Sequence, residues 1–290
     1  MANKITLLKR LSKAIPFIGK PDPLITVIEL RGAIGTGGPG GRTITHKGVE
    51  KLIKEAFKPN NLSAVALRIN SPGGSPVQSR LIQRSIRREA EKNAIPVYAF
   101  IEDVGASGGY LLAIAADEIY ADISSIIGSI GVISAGFGLN KAIEKIGVER
   151  RVHAAGGSKS QLDPFKPENP EDISRLKAIL DDTHTHFIDL VKEQRSETLG
   201  TQEDIFSGAF WTASDAKLRG LIDGITHFDD FIAQKFGNDA KVKTIAPKKG
   251  PLSALSIAGQ SQTSRPLFDV SIDGTIDQIE QRSLWSRYGL

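Results

Sequence analysis

The chain of 290 residues contains no cysteine, which excludes a disulfide framework, a thiolate nucleophile and a cysteine-type zinc site. Any hydrolytic chemistry must therefore use oxygen or nitrogen groups. No apolar run approaches the roughly 18 residues that a membrane-spanning helix needs, and no signal-peptide pattern leads to a cleavage site. The sequence as given thus predicts no segment that crosses a membrane.

The chain also has little excess of charge of either sign. Its 37 basic and 33 acidic residues give a net charge of +4 and are interleaved along the sequence, so they predict no nucleic-acid partner. Hydrophobic residues make up 40% of the chain, which is enough for a sizeable core. We expect one large globular domain with appendages and no cofactor.

The two ends of the chain differ from its middle. Residues 1–23 form a basic amphipathic segment, in which apolar residues at helical spacing alternate with lysines and an arginine. Such a segment is typical of a helix on an anionic membrane surface, and a docked N-terminal helix is the alternative. At the other end, residues 247–290 are rich in Ser, Gln and Gly and predict a flexible tail.

Between these ends, hydrophobic periodicity alternates between strand and helix. Three strand–loop–helix units in a row predict an α/β fold with a largely parallel sheet over 24–246. The predicted strands are 24–30, 63–69 and 95–101, with helices at 49–57, 77–92 and 110–116. Further along, the pattern predicts strands near 132–133 and 151–153, a helix at 139–146 between them, and a long amphipathic helix at 172–195.

A serine in a glycine-rich loop is the first candidate for chemistry. Gly105, Ser107 and Gly109 fit the nucleophile-elbow pattern, in which a serine stands between a strand and a helix. The start of the following helix would direct unpaired N–H groups at an oxyanion formed there. Gly74, in the loop after the preceding strand, could supply a second backbone donor, because loops at the carboxyl ends of parallel strands share one edge.

The base for this serine is less evident from the residues. An α/β-hydrolase reading needs a downstream histidine, and none stands in a recognisable context: His153, His184, His186 and His227. A lysine acts as a base at neutral pH only when burial lowers the pKa of its ammonium from about 10.4 towards 7 or 8. Lys159 stands among small residues, in Gly-Gly-Ser-Lys-Ser, where it could reach inward; a solvated lysine is the alternative.

Five motifs in order resemble the signal peptide peptidase A family, whose members are Ser/Lys peptidases with the Clp protease/crotonase fold. They are Asn70-Ser71-Pro72-Gly73-Gly74, Ala106-Ser107-Gly108-Gly109-Tyr110, Gly128-Ser129-Ile130-Gly131-Val132, Gly157-Ser158-Lys159, and Trp211-Thr212-Ala213 followed by Gly220-Leu221-Ile222-Asp223. The resemblance covers about 24–228 and is closest to the short form of the family.

The resemblance implies a role for each matched residue. Ser107 would be the nucleophile, Lys159 the general base, and Ser129 the hydroxyl that orients the lysine amine. The backbone N–H groups of Gly74 and Gly108 would form the oxyanion hole. Asn70 and Ser71 would hold their loop rather than take part in chemistry.

The resemblance also implies substrates and partners. It predicts an endopeptidase for hydrophobic peptides such as signal-peptide remnants, and a homo-oligomer with sites near subunit interfaces. Family members commonly carry an N-terminal membrane anchor, which we do not find here. We therefore expect a cytoplasmic protein, with peripheral contact to the inner membrane through residues 2–20.

Two other classes of function stay open at the sequence level. A crotonase-like acyl-CoA enzyme would use the same sheet with a carboxylate over the substrate, and Glu102 and Asp103 lie near Ser107 in sequence. A catalytically inactive peptide-binding scaffold would use the same groove without turnover. A phosphate-binding reading of the Gly-rich loop at 35–41 lacks the Gly-Lys-Ser/Thr ending and is not favoured.

Overall fold

A computed structural model describes residues 22–35, 43–246 and 283–289 of the chain. The predicted amphipathic segment at 2–20, most of the Gly-rich loop at 35–41 and most of the predicted tail lie outside the described residues. Within the described residues, no helix is long and apolar enough to cross a membrane.

One eight-stranded sheet organises the described chain. In spatial order, β6, β5, β3, β2, β1 and β8 lie side by side, while β4 pairs with β3 and β7. All pairs are parallel except β5 with β6. The strands are β1 Leu24–Arg31, β2 Leu62–Ser71, β3 Val97–Ala106, β4 Glu118–Ala121, β5 Ile126–Gly128, β6 Phe210–Thr212, β7 Gly224–Ile225 and β8 Lys241–Thr244. The prediction of a largely parallel sheet is confirmed.

The described residues form seven α-helices of six residues or more, and the first three connect the parallel strands β1 to β4 in turn. They are α1 His46–Ala56, α2 Pro76–Asn93, α3 Gly108–Ala113, α4 Asn140–Lys145, α5 Pro170–Gln194, α6 Ala213–Leu218 and α7 Phe228–Phe236. Short polar side chains set where two of them begin: Thr45 accepts from Gly48 N at the start of α1, and Ser75 accepts from Gln78 N at the start of α2.

Both faces of the central strands are covered, which explains why β2 reads as a nearly continuous apolar run. On one face, α1, α2 and α3 enclose the larger core, which includes Leu67, Ile82 and Tyr110. On the other face, α7 packs aromatic rings on the sheet, and Phe231 lies with its ring centroid 5.0 Å from that of Tyr98. We call the sheet, with the helices packed on it, the sheet body.

Residues 132–168 differ from the sheet body, and we call them the arm. None of them is buried, and several apolar side chains in the arm are exposed: Ile133, Phe137, Leu139, Ile146, Val148 and Leu162. The predicted helix at 139–146 is present as α4. The predicted strands near 132–133 and 151–153 are wrong, because neither segment lies beside a strand that could hydrogen-bond to it.

The long helix α5 leads from the arm back to the sheet body. Of the apolar side that the sequence predicts, only Phe187 and Val191, in its last third, are buried. At its C-terminal end the side chain of Arg195, 4% exposed, contacts Asp223 through Nη1 and Oδ2 at 2.8 Å. Arg195 also donates to the Gly220 carbonyl through Nε and Nη2. This buried, fully paired arginine fixes the end of α5 on the sheet body.

Candidate active site

The loops that follow β2 and β3 meet at one edge of the sheet, as the parallel pairing requires. Residues of β2 and β3 pair up to Ser71 and Gly105. Beyond them, the chain turns through Gly73 and Gly74 into α2 and through Ser107 into α3. The two glycine motifs of the sequence are therefore neighbours in space.

Ser107 lies in a strained turn between β3 and α3. Its φ is 52° and its ψ is −123°, a conformation that residues with a Cβ rarely adopt. The turn is held by the Ser107 N–H, which donates to the Gly128 carbonyl at 2.8 Å. Ser107 occupies the N-cap position of α3, yet its side chain does not cap the helix. The hydroxyl is therefore free to act elsewhere.

Close backbone approach explains the glycines around Ser107. A Cβ placed on Gly74 would lie 1.9 Å from the Ile34 carbonyl oxygen, and one on Gly109 would lie 2.3 Å from that of Ser71. Gly74 also has a φ of +139°, which disfavours any residue with a side chain. The two loops touch only because these positions carry no side chain.

Two backbone N–H groups converge beside Ser107. A Cβ placed on Gly108 would lie 3.3 Å from Gly74 N, so the amides of Gly74 and Gly108 are close neighbours. Gly108 is the first residue of α3, and an N–H at that position has no acceptor within its own helix. Among the loop hydrogen bonds of the described residues, Gly74 N donates none. Such a pair of unengaged donors can bind an oxyanion.

Ser129 follows the last residue of the neighbouring strand β5 and lies next to Ser107. β3 and β5 run parallel with Ala106 opposite Gly128. The residues that follow these two, Ser107 and Ser129, therefore lie opposite each other. Ser129 also has a positive φ, of 51°, and its N–H donates to the Ala209 carbonyl at 2.7 Å. Two serines in strained conformations therefore stand side by side.

A cavity of about 470 Å³ opens at this point, and Gly74, Ser107, Gly108 and Ser129 all line it. Its other walls are largely apolar and come from α2, from α3, from the start of the arm and from α5: Val77, Leu111, Val132, Ile133, Phe187 and Leu190. The cavity is large enough for several side chains of a peptide, and its walls favour apolar ones.

Lys159 does not line this cavity. It lies in a turn of the arm, where it is exposed to solvent and its N–H donates to the Gly156 carbonyl at 3.2 Å. A Cβ on Gly157, two residues before Lys159, would meet nothing within 4 Å. Four of the five predicted site residues thus gather in one cavity, and Lys159 lies apart from it.

A histidine that the sequence predicts to be a surface residue lines the cavity instead. His186, on α5, is exposed and also borders the cavity. Its Nδ1 lies 3.8 Å from Asp182 Oδ2. His184, two residues earlier, is turned the other way, and its Nε2 lies 3.0 Å from the Ile130 carbonyl. The helical spacing indicates that His184 and His186 lie on different faces of α5. The sequence does not show which of these faces borders the cavity.

The polar residues at the strand ends hold the loops in place. Asn70 donates to Asp103, and Ser71 Oγ accepts from Gly73 N at 3.2 Å. Glu102 forms ion pairs with Arg31 and Arg68. Neither Glu102 nor Asp103 lines the cavity, so no carboxylate from this loop stands over Ser107 as a crotonase-like reaction would need.

The sequence reasoning missed one wall of the cavity entirely. Leu284, Arg287 and Tyr288, close to the C-terminal end of the chain, line the same space as Ser107. The ring of Tyr288 packs edge-on against Phe210, with centroids 5.2 Å apart. The aromatic and apolar residues at 284–288 were the only signal, and nothing in the sequence indicates where they dock.

Several curated proteins are similar to this chain. It is 47% identical over 272 residues to a protein of Brucella abortus named Na(+)/H(+) antiporter NhaA, a match that covers 92% of this chain and 37% of that protein. It is 34% identical to the chloroplastic serine protease SPPA of Arabidopsis thaliana (69% of this chain, 29% of the relative) and 32% identical to protease 4 of Salmonella typhi (76% and 35%). The chain thus spans about a third of the length of these relatives, and each name describes the whole relative.

Solved structures agree with the fold. A mutant of the 1510-N membrane-bound stomatin-specific protease superposes with a TM-score of 0.50 at 16% identity, over 78% of this chain and 99% of the other. A second mutant of that protease, in complex with a substrate peptide, gives the same TM-score over 82% and 98%. The predicted Clp protease/crotonase-like fold is confirmed by these superpositions.

The family model for peptidase family S49 matches residues 89–243, more than half of the chain and the part that carries Ser107, Ser129 and Lys159. Protease 4 of Salmonella typhi and a protein of Enterococcus faecium named putative signal peptide peptidase SppA match 76% and 64% of this chain. The predicted resemblance is confirmed: the chain belongs to peptidase family S49, the signal peptide peptidase A family.

Proposed function

We propose that the chain is a serine endopeptidase in which Ser107 is the nucleophile and Lys159 the general base, with residues 24–246 as the peptidase domain. The observation that carries the proposal is the geometry of Ser107. Its strained turn, its uncapped hydroxyl and the neighbouring amides of Gly74 and Gly108 stand together in an apolar cavity. Such strain is stored where a side chain must be held for chemistry.

The reaction would run through an acyl-enzyme. The neutral amine of Lys159 takes the proton of the Ser107 hydroxyl as Oγ attacks the peptide carbonyl, and the oxyanion is held by the N–H groups of Gly74 and Gly108. The lysine gives that proton to the leaving amine, and the C–N bond breaks. Water, activated by the same lysine, then attacks the ester, releases the carboxylic acid and returns the proton to Ser107.

A second copy of the chain would bring the lysine to the serine. Lys159 lies in the exposed arm and outside the Ser107 cavity, while the arm carries apolar side chains that nothing in the described chain covers. Apolar surface of this kind favours burial against a partner. A homo-oligomer in which the arm of one subunit meets the cavity of its neighbour would satisfy both, with Ser129 placed to orient the incoming amine.

The walls of the cavity favour hydrophobic peptides as substrates. The lining side chains from α2, the arm and α5 are mostly apolar, and apolar burial is the main source of affinity in such a site. Signal-peptide remnants are the substrates that we propose. Contact of residues 2–20 with an anionic membrane, and a cytoplasmic location, are part of the same proposal and rest on the sequence alone.

One observation favours a second candidate for the base. His186 borders the cavity and lies 3.8 Å from Asp182, an arrangement that a Ser–His–Asp triad would use. Both side chains are exposed, as Lys159 is in the single chain, but Lys159 stands in the Gly157-Ser158-Lys159 motif that resembles the family and His186 stands in no such motif. We therefore assign the role to Lys159 and retain His186 as the competitor.

Cleavage of a fluorogenic apolar peptide by four proteins tests the proposal. We expect Ser107→Ala and Lys159→Ala each to lower kcat by at least about 10³-fold, because both act on the reacting atoms. His186→Ala should keep kcat within a few-fold. As a matched control, Lys166→Ala removes another lysine of the arm and should leave cleavage unchanged. Full activity in Lys159→Ala with loss in His186→Ala would transfer the role to the histidine.

A further inference from the structure

The wall of the Ser107 cavity that comes from α2 contains a cation. Arg80 lines the cavity together with Val77 and Ser107, and Val77 and Arg80, three residues apart, lie on the same side of the helix. Arg80 is exposed, so its charge lies where the cavity opens to solvent. No aspartate or glutamate is among the described residues that line the cavity. The cavity therefore combines apolar walls with an uncompensated positive charge at its rim.

Arg80 has no ion-pair partner among the described residues. It begins a row of three exposed arginines spaced four residues apart on α2, with Arg84 and Arg88. Like charges at this spacing destabilise a helix. Arg87, on another side of α2, is paired with Asp117 at 2.7 Å. The arginine that ties α2 to the sheet body is thus neutralised, whereas the one at the cavity is left for another partner.

The start of α2 determines how far Arg80 lies from the reacting atoms. The helix begins at Pro76, two residues after Gly74, the proposed oxyanion-hole donor. Arg80 lies four residues beyond Pro76, which is about 6 Å along the helix axis. An extended peptide advances by about 3.3 Å for each residue. The displacement of Arg80 from the oxyanion hole therefore corresponds to about two residues of a bound peptide.

We propose that Arg80 binds a carboxylate of the substrate about two residues from the scissile bond, and so makes the site selective for peptides that carry a carboxylate there. A guanidinium donates two parallel hydrogen bonds to a carboxylate, and the N-terminal end of α2 adds a partial positive charge nearby. The carboxylate belongs either to an acidic side chain or to the free C-terminus of the peptide. This proposal rests on the proposed function in one respect, that the cavity binds peptides.

Matched pairs of fluorogenic apolar peptides test the selectivity. One pair has a free C-terminal acid or the C-terminal amide, and the other is an amide with glutamate or glutamine two residues from the cut. In at least one pair, we expect the form with the carboxylate to have a kcat/KM about tenfold higher than its neutral counterpart, mainly through KM. Equal kcat/KM values within both pairs would overturn the proposal.

Variants of α2 show whether Arg80 is the cause of this preference. The ratio of kcat/KM between the two forms of a pair should fall to about one in Arg80→Ala and should be largely retained in Arg80→Lys. Arg84→Ala is the matched control, because it removes an unpaired arginine of the same helix that does not line the cavity, and it should keep the ratio. A ratio that survives in Arg80→Ala would contradict the proposal.

Reversal of the charge tests the contact itself. Arg80→Glu should prefer a peptide with lysine over one with glutamine at the position where the wild type prefers glutamate, because opposite charges then face each other again. Arg287 is the other arginine that lines the cavity. A preference for the carboxylate that persists in Arg80→Glu, or that is lost in Arg287→Ala and not in Arg80→Ala, would overturn the assignment to Arg80.

The position of the cut distinguishes the two sources of the carboxylate. Peptides lengthened at the C-terminus by one residue at a time are digested, and the products are identified by mass spectrometry. If the free C-terminus is bound, the cut stays at a constant distance from it, which would place this chain after a hydrolase that creates such ends. If an acidic side chain is bound, the cut follows the glutamate. Cuts that follow neither would contradict the proposal.

Binding without turnover separates this proposal from the peptidase mechanism. The fluorescence anisotropy of the same peptides, labelled at the N-terminus, gives their Kd for the Ser107→Ala protein with and without Arg80→Ala. If the wild type cleaves nothing, but the carboxylate lowers Kd about tenfold only when Arg80 is present, the carboxylate site stands and the proposed function falls. If cleavage occurs and neither KM nor Kd responds to the carboxylate, the proposed function stands and the carboxylate site falls.

Discussion

The sheet body and the arm carry the two halves of the proposed dyad, and they are built in opposite ways. Around Ser107 in the sheet body, nearly every position is buried and the glycines are crowded: Gly108 and Gly109 are both enclosed. Around Lys159 in the arm, most residues are exposed, and Gly157 faces open space. The serine half therefore lies in a buried setting within one chain, while the lysine half lies on an exposed turn.

This difference indicates that burial of Lys159 must come from a second copy of the chain. Burial is what makes a lysine a usable base, and the arm of a single chain supplies none. The arm does supply exposed apolar side chains, of which Phe137 is 86% exposed. A second copy that covers the arm would both bury these side chains and enclose Lys159 near a serine.

The sharpest test of this comparison is complementation between two inactive variants. If serine and lysine come from different subunits, mixed oligomers of Ser107→Ala and Lys159→Ala chains contain wild-type sites. Random mixing of equal amounts should restore about a quarter of wild-type activity, since each intact partner is present with a probability of one half. Activity that stays at the level of the separate variants would place both residues in the same chain.

A glycine-to-alanine substitution should have a larger effect in the sheet body than in the arm. Gly74→Ala would place a Cβ 1.9 Å from the Ile34 carbonyl and displace an oxyanion-hole donor, which should lower kcat about 10²-fold. Gly157→Ala, two residues before Lys159, places a Cβ that meets nothing within 4 Å and should leave the melting temperature of a single subunit unchanged. Peptide cleavage and thermal unfolding of both variants measure this. Similar losses of kcat and stability in the two variants would contradict the difference in packing between the sheet body and the arm.

Apolar truncations should separate folding from assembly. Leu67, on β2, is fully buried. The substitution Leu67→Ala should lower the free energy of unfolding by about 3 kcal/mol. Phe137→Ala in the arm should change the unfolding free energy of the subunit by about 0.5 kcal/mol or less, yet shift the protein towards smaller species in sedimentation. A Phe137→Ala protein with unchanged assembly would exclude this side chain from the interface.

The smallest effect concerns two carboxylates and their dependence on pH. A hydrogen bond from Arg219 holds the pKa of Asp204 in the sheet body below its ordinary value of 3.8. The N–H of Phe165 does the same for Asp163 in the arm. A lowered pKa means that the ionised form stabilises the folded chain above pH 3.8, and that this stabilisation is lost as the pH falls further.

Asp204→Asn should therefore lower the melting temperature slightly at pH 6, and this difference from the wild type should shrink at pH 3. Asp163→Asn should leave the melting temperature of the sheet body unchanged at either pH, because ionised Asp163 stabilises only the turn of the arm in which it lies. A shift for Asp163→Asn as large as that for Asp204→Asn would show that the arm unfolds together with the sheet body.

The sequence predicted well those elements whose periodicity reflects burial in the chain itself. β1, β2 and the helix α2 lie within a few residues of their predicted bounds, because their apolar residues face the same core that fixes their period. The strands predicted near 132–133 and 151–153 were wrong because β-branched residues form a strand only beside a partner strand. In α5, the apolar stripe extends beyond the part that the sheet body covers.

The sequence by itself determined the α/β fold, the largely parallel direction of its strands and the position of Ser107 at a strand end. These features follow from local periodicity and from the positions at which glycine is needed. Only the tertiary structure decided that Ser129 stands beside Ser107, that His186 borders the cavity and that Tyr288 packs on Phe210. These are contacts between residues far apart in the chain. They depend on packing and crossover geometry, which no local pattern of residues encodes.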